Sequence, residues 1–102
     1  MVIVIDIDGT ICSKVENGEY HKAIPYADRI KHINILYDEG NIIKIFTARG
    51  QWSGVDRREF TETQLKEWGL KFHELHTNKL AGDIYVDDLA VSPDDFFYQG
   101  EL

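Results

Sequence analysis

A chain of 102 residues with 43% hydrophobic and 28% charged content has the length and balance of one soluble globular domain and no room for a second. Its formal net charge of −7 argues against nucleic acid or an anionic membrane surface as a partner, since both require a basic face. No apolar run approaches the roughly 20 residues of a membrane span, and the N-terminal apolar stretch is brief, broken by Asp6 and without a basic leader, so a cytoplasmic chain mature from Met1 is expected.

In chain order, residues 2–7 place apolar residues at nearly every position and read as a strand buried on both faces, the mark of a parallel sheet. Residues 11–22 are polar around Asn17-Gly18, a strong hairpin signal, and predict a small β-hairpin flap. The lone Cys12 has no partner for an internal disulfide, fits a reducing compartment, and reads as core filler. Pro25 opens a helix whose Ala27, Ile30, Ile33 and Tyr37 share one face, and Gly40 stops it. "NIIKIF" (41–46) is a second buried strand.

A loop with Gly50, Trp52, Ser53 and Gly54 follows, and then Asp56 and Glu59 stand as a cap and its reciprocal partner. The helix they open should run to about Trp68, with Phe60, Gln64 and Trp68 along one side and Leu65 beside them, ending at Gly69. Residues 70–75 and 83–87 read as two further short strands. Strand, flap, helix, strand, helix, strand, strand describes a small Rossmann-like α/β domain over residues 1–102, with a parallel sheet and right-handed crossovers.

Sites in such sheets lie beyond the carboxyl ends of the strands. Strand one ends in Asp6-Ile7-Asp8, strand two runs into Thr47, strand four ends in Asp87-Asp88, and Lys79 lies in the loop before strand four. Residues two apart on a strand share a face, about 6–7 Å apart, so Asp6 and Asp8 can bracket one small group. Two such carboxylates need a cation or proton between them. With Asp87 or Asp88 arriving nearby and no His or Cys among the donors, the set suits Mg²⁺, and with Thr47 and Lys79 it forms a site for a phosphoryl dianion. The last twenty residues carry six acids (Asp83, Asp87, Asp88, Asp94, Asp95, Glu101) and no Lys or Arg, which makes an acidic tail the plainer account of some of them.

"DIDGT" (6–10), "FTAR" (46–49), "TNK" (77–79) and "VDD" (86–88) resemble, in order, the four motifs of the haloacid dehalogenase (HAD) superfamily of phosphatases. The flap "CSKVENGEY" and the continuation "DDLAVSPDDFF" resemble more closely its short, capless members associated with capsule polysaccharide biosynthesis. The resemblance implies an HAD-like fold without a cap domain and a Mg²⁺-dependent phosphatase acting on a small phosphorylated metabolite, best a sugar phosphate. Asp6 would be the nucleophile that forms an aspartyl-phosphate, and Asp8 the proton shuttle, offering the metal its backbone carbonyl. Gly9 would turn the chain away from the phosphate and Thr10 brace the turn. Thr47 and Lys79 would hold the phosphoryl oxygens, and one of Asp87 and Asp88 would complete the metal site. The loop "TNKL" departs from the Gly-Lys-Pro common in the subfamily.

Other readings of the same residues are weaker. An EF-hand loop would need Gly at its sixth position and Glu at its twelfth, whereas residues 6–17 have Gly at the fourth and Asn17 at the twelfth. His73 and His76, three apart on a strand, face opposite sides and read as edge or core histidines. Arg49 and Trp52, in the loop after Thr47, are candidates for contact with the leaving group. An open site leaves room for a large substrate or for a neighbouring subunit of a homo-oligomer to complete the pocket. The alternatives are a non-enzymatic phospho-acceptor module, against which Asp8 and the placement of Thr47 argue, and a nucleotide or polynucleotide 3′-phosphatase, which the acidic surface disfavours.

Overall fold

In a computed structural model that describes residues 1–98, the chain forms three strands, β1 (Val2–Asp6), β2 (Ile42–Phe46) and β3 (Glu74–His76), and three helices, α1 (Ala27–Asp38), α2 (Arg58–Glu67) and α3 (Pro93–Tyr98). Glu101 of the acidic tail lies outside the described residues. The sheet is parallel in the order β1-β2-β3, with Ile3 opposite Ile43, Asp6 opposite Phe46, and Ile45 opposite Leu75. It is the small α/β arrangement that alternating β-branched runs and amphipathic helices favour. No helix among the described residues is long and apolar enough to cross a membrane.

The core lies on one face of this sheet. Ile5, Ile43, Ile45 and Leu75 pack there with Ile30 and Ile33 of α1 and Leu65 of α2. Each such side chain contributes roughly 1.5–3 kcal/mol by leaving water. The other face is open: Val2 is 56% exposed, Val4 55% and Ile42 42%. The expectation that strand one is buried on both faces is corrected here. A run of β-branched residues reports strand propensity, and whether a second layer exists to cover the far face depends on the rest of the chain.

Three further departures have physical reasons. Asn17 (φ 55°) and Gly18 (φ 69°) form the left-handed turn of a hairpin, but the polar residues beside them lack the alternation that builds strands. The flap is therefore a loop closed at its neck, where Ser13 N–H donates to the Ile24 carbonyl (2.9 Å) and Tyr26 N–H to that of Ile11 (2.9 Å), with a 3₁₀ turn at Tyr20–Lys22. Along α2 the inward residues are Thr61, Gln64 and Leu65, and Phe60 points outward, because the helix turns its polar Thr61 and Gln64 toward a buried guanidinium. The cap position of α2 falls to Arg57, one residue later than expected and without a side-chain cap bond, and Asp56 accepts the Arg58 N–H (2.9 Å) from just outside the helix.

The fourth strand does not form, and residues 82–91 are exposed throughout. A parallel strand needs a crossover of a dozen or more residues. Between His76 and Asp83 the chain provides residues 77–82. Helix α3 is not among the expected elements, though "SPDD" carries its signal: Ser92 accepts the Asp95 N–H (3.3 Å), Pro93 takes the first helical position, and Asp94 and Asp95 fill the first turn. Its Phe97 packs edge-on to His32 of α1, and Asp94 pairs with Arg29 at 3.1 Å.

Candidate active site

At the end of β1 the chain turns at once. The Ile7 carbonyl accepts the N–H groups of Thr10 (3.0 Å) and Ile11 (2.8 Å), and Gly9 N–H donates to the Cys12 carbonyl (2.8 Å). Gly9 sits at φ +83°, where L side chains are disfavoured, and a Cβ there would meet Lys14 Cε at 2.9 Å. The turn holds Asp6 and Asp8 at the sheet's carboxyl rim on either side of the fully buried Ile7.

Asp6 faces a cation. Lys79 Nζ lies 3.2 Å from its Oδ1, and Thr10 Oγ1 donates to Oδ2 at 3.4 Å. The ammonium also sits over the rings of Phe46 (4.5 Å) and Tyr85 (4.4 Å), which fix its position. The sheet ladder explains how Lys79 arrives: Thr47 N–H donates to the His76 carbonyl (2.9 Å) and Lys79 N–H to the Thr47 carbonyl (3.3 Å). Thr47, 1% exposed, accepts the Arg49 N–H on Oγ1 at 3.1 Å.

Asp8 faces a different one. Arg49 grips it with both arms of its guanidinium, Nε to Oδ2 at 2.9 Å and Nη2 to Oδ1 at 2.8 Å. The remaining arm donates to Gln64 Oε1 (2.8 Å) and Thr61 Oγ1 (3.3 Å), and the plane lies 4.4 Å from the Tyr20 ring centroid. Gln64 Nε2 in turn donates to the Tyr20 carbonyl at 2.7 Å, so flap, loop and α2 meet on one buried side chain. A carboxylate oxygen accepts about two hydrogen bonds. The fork thus orients Asp8, whose side chain is 24% exposed, and leaves Oδ2 room for one further hydrogen bond.

Of the four residues expected at the rim, Asp6 and Lys79 meet side chain to side chain, Thr47 meets Lys79 through its backbone carbonyl, and Asp8 turns to Arg49. Arg49 turns its side chain, wholly buried, against Asp8. Trp52, 77% exposed in its loop, joins no cluster. Asp87 Oδ1 accepts the Leu89 N–H (2.8 Å), Asp88 lies exposed beside it, and the strand expected to carry them is not formed. Among the described residues no three acids, His or Cys side chains group as metal ligands. Thr61 and Gln64 were missed as site residues. Their signal was two uncharged polar residues, three apart, on the apolar side of a helix.

Cys12 is fully buried, and its Sγ contacts Asp8 Oδ1 at 3.6 Å. Burial and then the Asp8 charge push its thiol up from 9.0 to about 12. Three units leave about a thousandfold less thiolate than an ordinary Cys at the same pH. Iodoacetamide at pH 8 is therefore expected to label the unfolded chain and spare the folded one. Fast labelling without denaturant, followed by mass spectrometry, would contradict this placement.

No known protein family's sequence profile matches the chain, and no curated protein does. Among solved structures it resembles a structural-genomics target from Vibrio cholerae, with a TM-score of 0.83 and 22% sequence identity, over 95% of this chain and 87% of the other. At that identity the likeness concerns the fold.

Proposed function

We propose that this protein is a Mg²⁺-dependent phosphatase of the HAD type that hydrolyses a small phosphomonoester through an aspartyl-phosphate. The sequence resemblance points to a sugar phosphate as substrate and to capsule polysaccharide biosynthesis as the setting. The supporting observation is the differential pairing of two carboxylates on one rim: Asp6 beside the Lys79 ammonium at 3.2 Å, Asp8 forked by Arg49 at 2.8–2.9 Å. One acid thus adjoins a phosphate-binding charge, and the other is held apart in fixed orientation.

In this reading Lys79 and Thr47 bind the phosphoryl oxygens, where charge persists through the transition state. An Asp6 oxygen attacks phosphorus as the ester oxygen leaves, taking its proton from Asp8. Asp8 then removes a proton from water, which attacks phosphorus and releases Asp6 and phosphate. Arg49 keeps the Asp8 carboxyl plane aimed through both steps. The rim's donors are oxygens, the Asp6 carboxylate and the Asp8 carbonyl, with Cys12 protonated, and that chemistry fits a hard cation. A carboxylate of Asp87 or Asp88 would complete the set. When bound, Mg²⁺ neutralises phosphoryl charge.

The test is phosphate release from p-nitrophenyl phosphate and a panel of sugar and nucleoside phosphates. Turnover in Mg²⁺ that falls at least about 100-fold in EDTA is the expected result. No turnover on any compound, with a stable phosphate left on the chain after acetyl phosphate treatment, would overturn it in favour of a phospho-acceptor.

A further inference from the structure

On a chain with 18 acids against 11 bases, a cation without an acid is the exception. Among the described residues every Lys and Arg is paired with a carboxylate except Lys14, Lys31, Arg57 and Arg58. Lys31 is exposed on α1. The other three gather around the flap and the loop that follows β2. Lys14 runs across the turn at Gly9, and Arg57 and Arg58 line a cleft of about 460 Å³ with Arg49, Gln51, Asp56 and Thr77. That volume admits a ligand of sugar size. The cleft adjoins the rim: Thr77 precedes Lys79 by two residues, Arg49 follows Thr47 by two, and Gln51 Nε2 ties the walls together by donating to the Thr77 carbonyl at 2.8 Å.

Most of the charge in this cleft is already spent. Arg49 belongs to Asp8. Arg58 gives one arm to the Leu75 carbonyl (2.6 Å), and its charge bears on Glu62 and offsets Asp56, whose Oδ1 accepts the Arg58 N–H. Arg57 is left over. Its guanidinium carbon lies 5.4 Å from the centroid of the Tyr20 ring, the same ring that has Arg49 at 4.4 Å, and its Nη2 lies against Gly18 of the flap turn. Stacking occupies the face of a guanidinium, whereas its N–H groups point outward in the plane and still need acceptors. Nε is sealed from water and has none among the described residues. The loop holds the side chain in this position: Gly54 N–H donates to the Gly50 carbonyl (2.8 Å), the Val55 carbonyl folds against Gly50, and the stem of Arg57 packs on the same glycine. A covered donor without an acceptor and a charge without a counter-charge together mark a place for an anion.

We propose that this cleft takes a second anionic group of the substrate, a carboxylate or a further phosphate carried by the leaving group, and that Arg57 is the residue that reads it. The planar fork of a guanidinium matches either group. The inference rests on the phosphatase reading and narrows it, from sugar phosphates at large to those with a second negative charge. It also accounts for an unspent cation on a chain of net charge −7, whose surface elsewhere repels such a ligand.

The test is calorimetric binding in Mg²⁺ to Asp6→Asn chains, which hold a substrate without turning it over. Matched pairs are compared: glucose 1-phosphate with glucuronic acid 1-phosphate, and glucose 6-phosphate with 6-phosphogluconate and glucose 1,6-bisphosphate. At least one doubly charged member is expected to bind about 10-fold or more tightly than its singly charged counterpart. Adding Arg57→Gln is expected to bring that pair within about twofold, and Arg57→Lys, which keeps a charge without the fork, to leave an intermediate preference. Equal binding across every pair overturns the proposal. A preference that either Arg57 variant leaves whole overturns it too. Phosphate release by the unsubstituted protein separates this inference from the reading beneath it. Arg57-dependent preference without release from any compound removes the phosphatase and leaves the cleft; release with equal binding of every pair does the reverse.

Discussion

Replacing Asp6 with Asn is expected to reduce phosphate release by about 10⁴-fold or more, because the amide keeps the shape of the side chain and removes the attacking oxygen. Stability should change little. The Asp6–Lys79 pair at 3.2 Å is partly solvated, with Asp6 29% exposed, and pairs of that kind contribute about 1 kcal/mol or less. Turnover and thermal unfolding measured together separate these effects: a folded, inactive variant supports Asp6 as nucleophile, and turnover near that of the unsubstituted protein refutes it. Thr10, at 3.4 Å from the other oxygen, braces the same carboxylate through a weaker contact, so its loss should not imitate the result.

Arg49→Met is expected to act on stability first. Its guanidinium is fully buried and makes two bonds to Asp8, one each to Gln64 and Thr61, and a stacking contact with Tyr20. Removing one partner of a buried pair typically costs about 3–5 kcal/mol, and the partial exposure of Asp8 points to the lower end. Arg49→Lys keeps the charge but not the fork. It should fold, with kcat lowered by about 10- to 100-fold and KM nearly unchanged, since what is lost is the aim of Asp8 during proton transfer. Chemical denaturation of the first variant and steady-state kinetics of the second check the two halves. A fully stable Arg49→Met would show that the fork carries no weight, and a Lys variant altered only in KM would make Arg49 a substrate contact after all.

The Arg49 result shows where reading the residues succeeds and where it stops. Asp6, Asp8, Thr47 and Lys79 each follow a strand end, and strand ends follow from apolar runs that local pattern exposes, so their place along the chain relative to the strands was legible. Arg49 is also three residues past a strand, yet the same position serves a substrate or a buried partner equally well. The choice was made by Thr61 and Gln64, on a helix whose rotation no local pattern sets. Phe60 was misplaced for the same reason, since an aromatic ring outranks Thr in hydrophobicity until a guanidinium needs hydroxyl and amide oxygens inside. Residues 83–87 were misread differently. "DIYVD" has strand propensity, but pairing in parallel depends on the chain length available for the crossover, a property of residues 77–82 rather than of the segment itself.

The junction of Arg49, Asp8, Gln64 and Tyr20 also bears on the order in which the molecule is built. Its bonds join positions 41 and 44 residues apart, Arg49 to Asp8 and Gln64 to Tyr20, whereas the turns of α1 and α2 close within a few residues. Loop-closure entropy must be met before distant contacts return any free energy, so the helices come first in time and the junction, like the β1–β2 pairing whose partners are 40 residues apart, matures after them. Interactions that form late govern how fast the native state is left rather than how fast it is reached. The grip on Asp8 thus also acts as a kinetic latch: it slows unfolding, and its release frees the flap and α2 together.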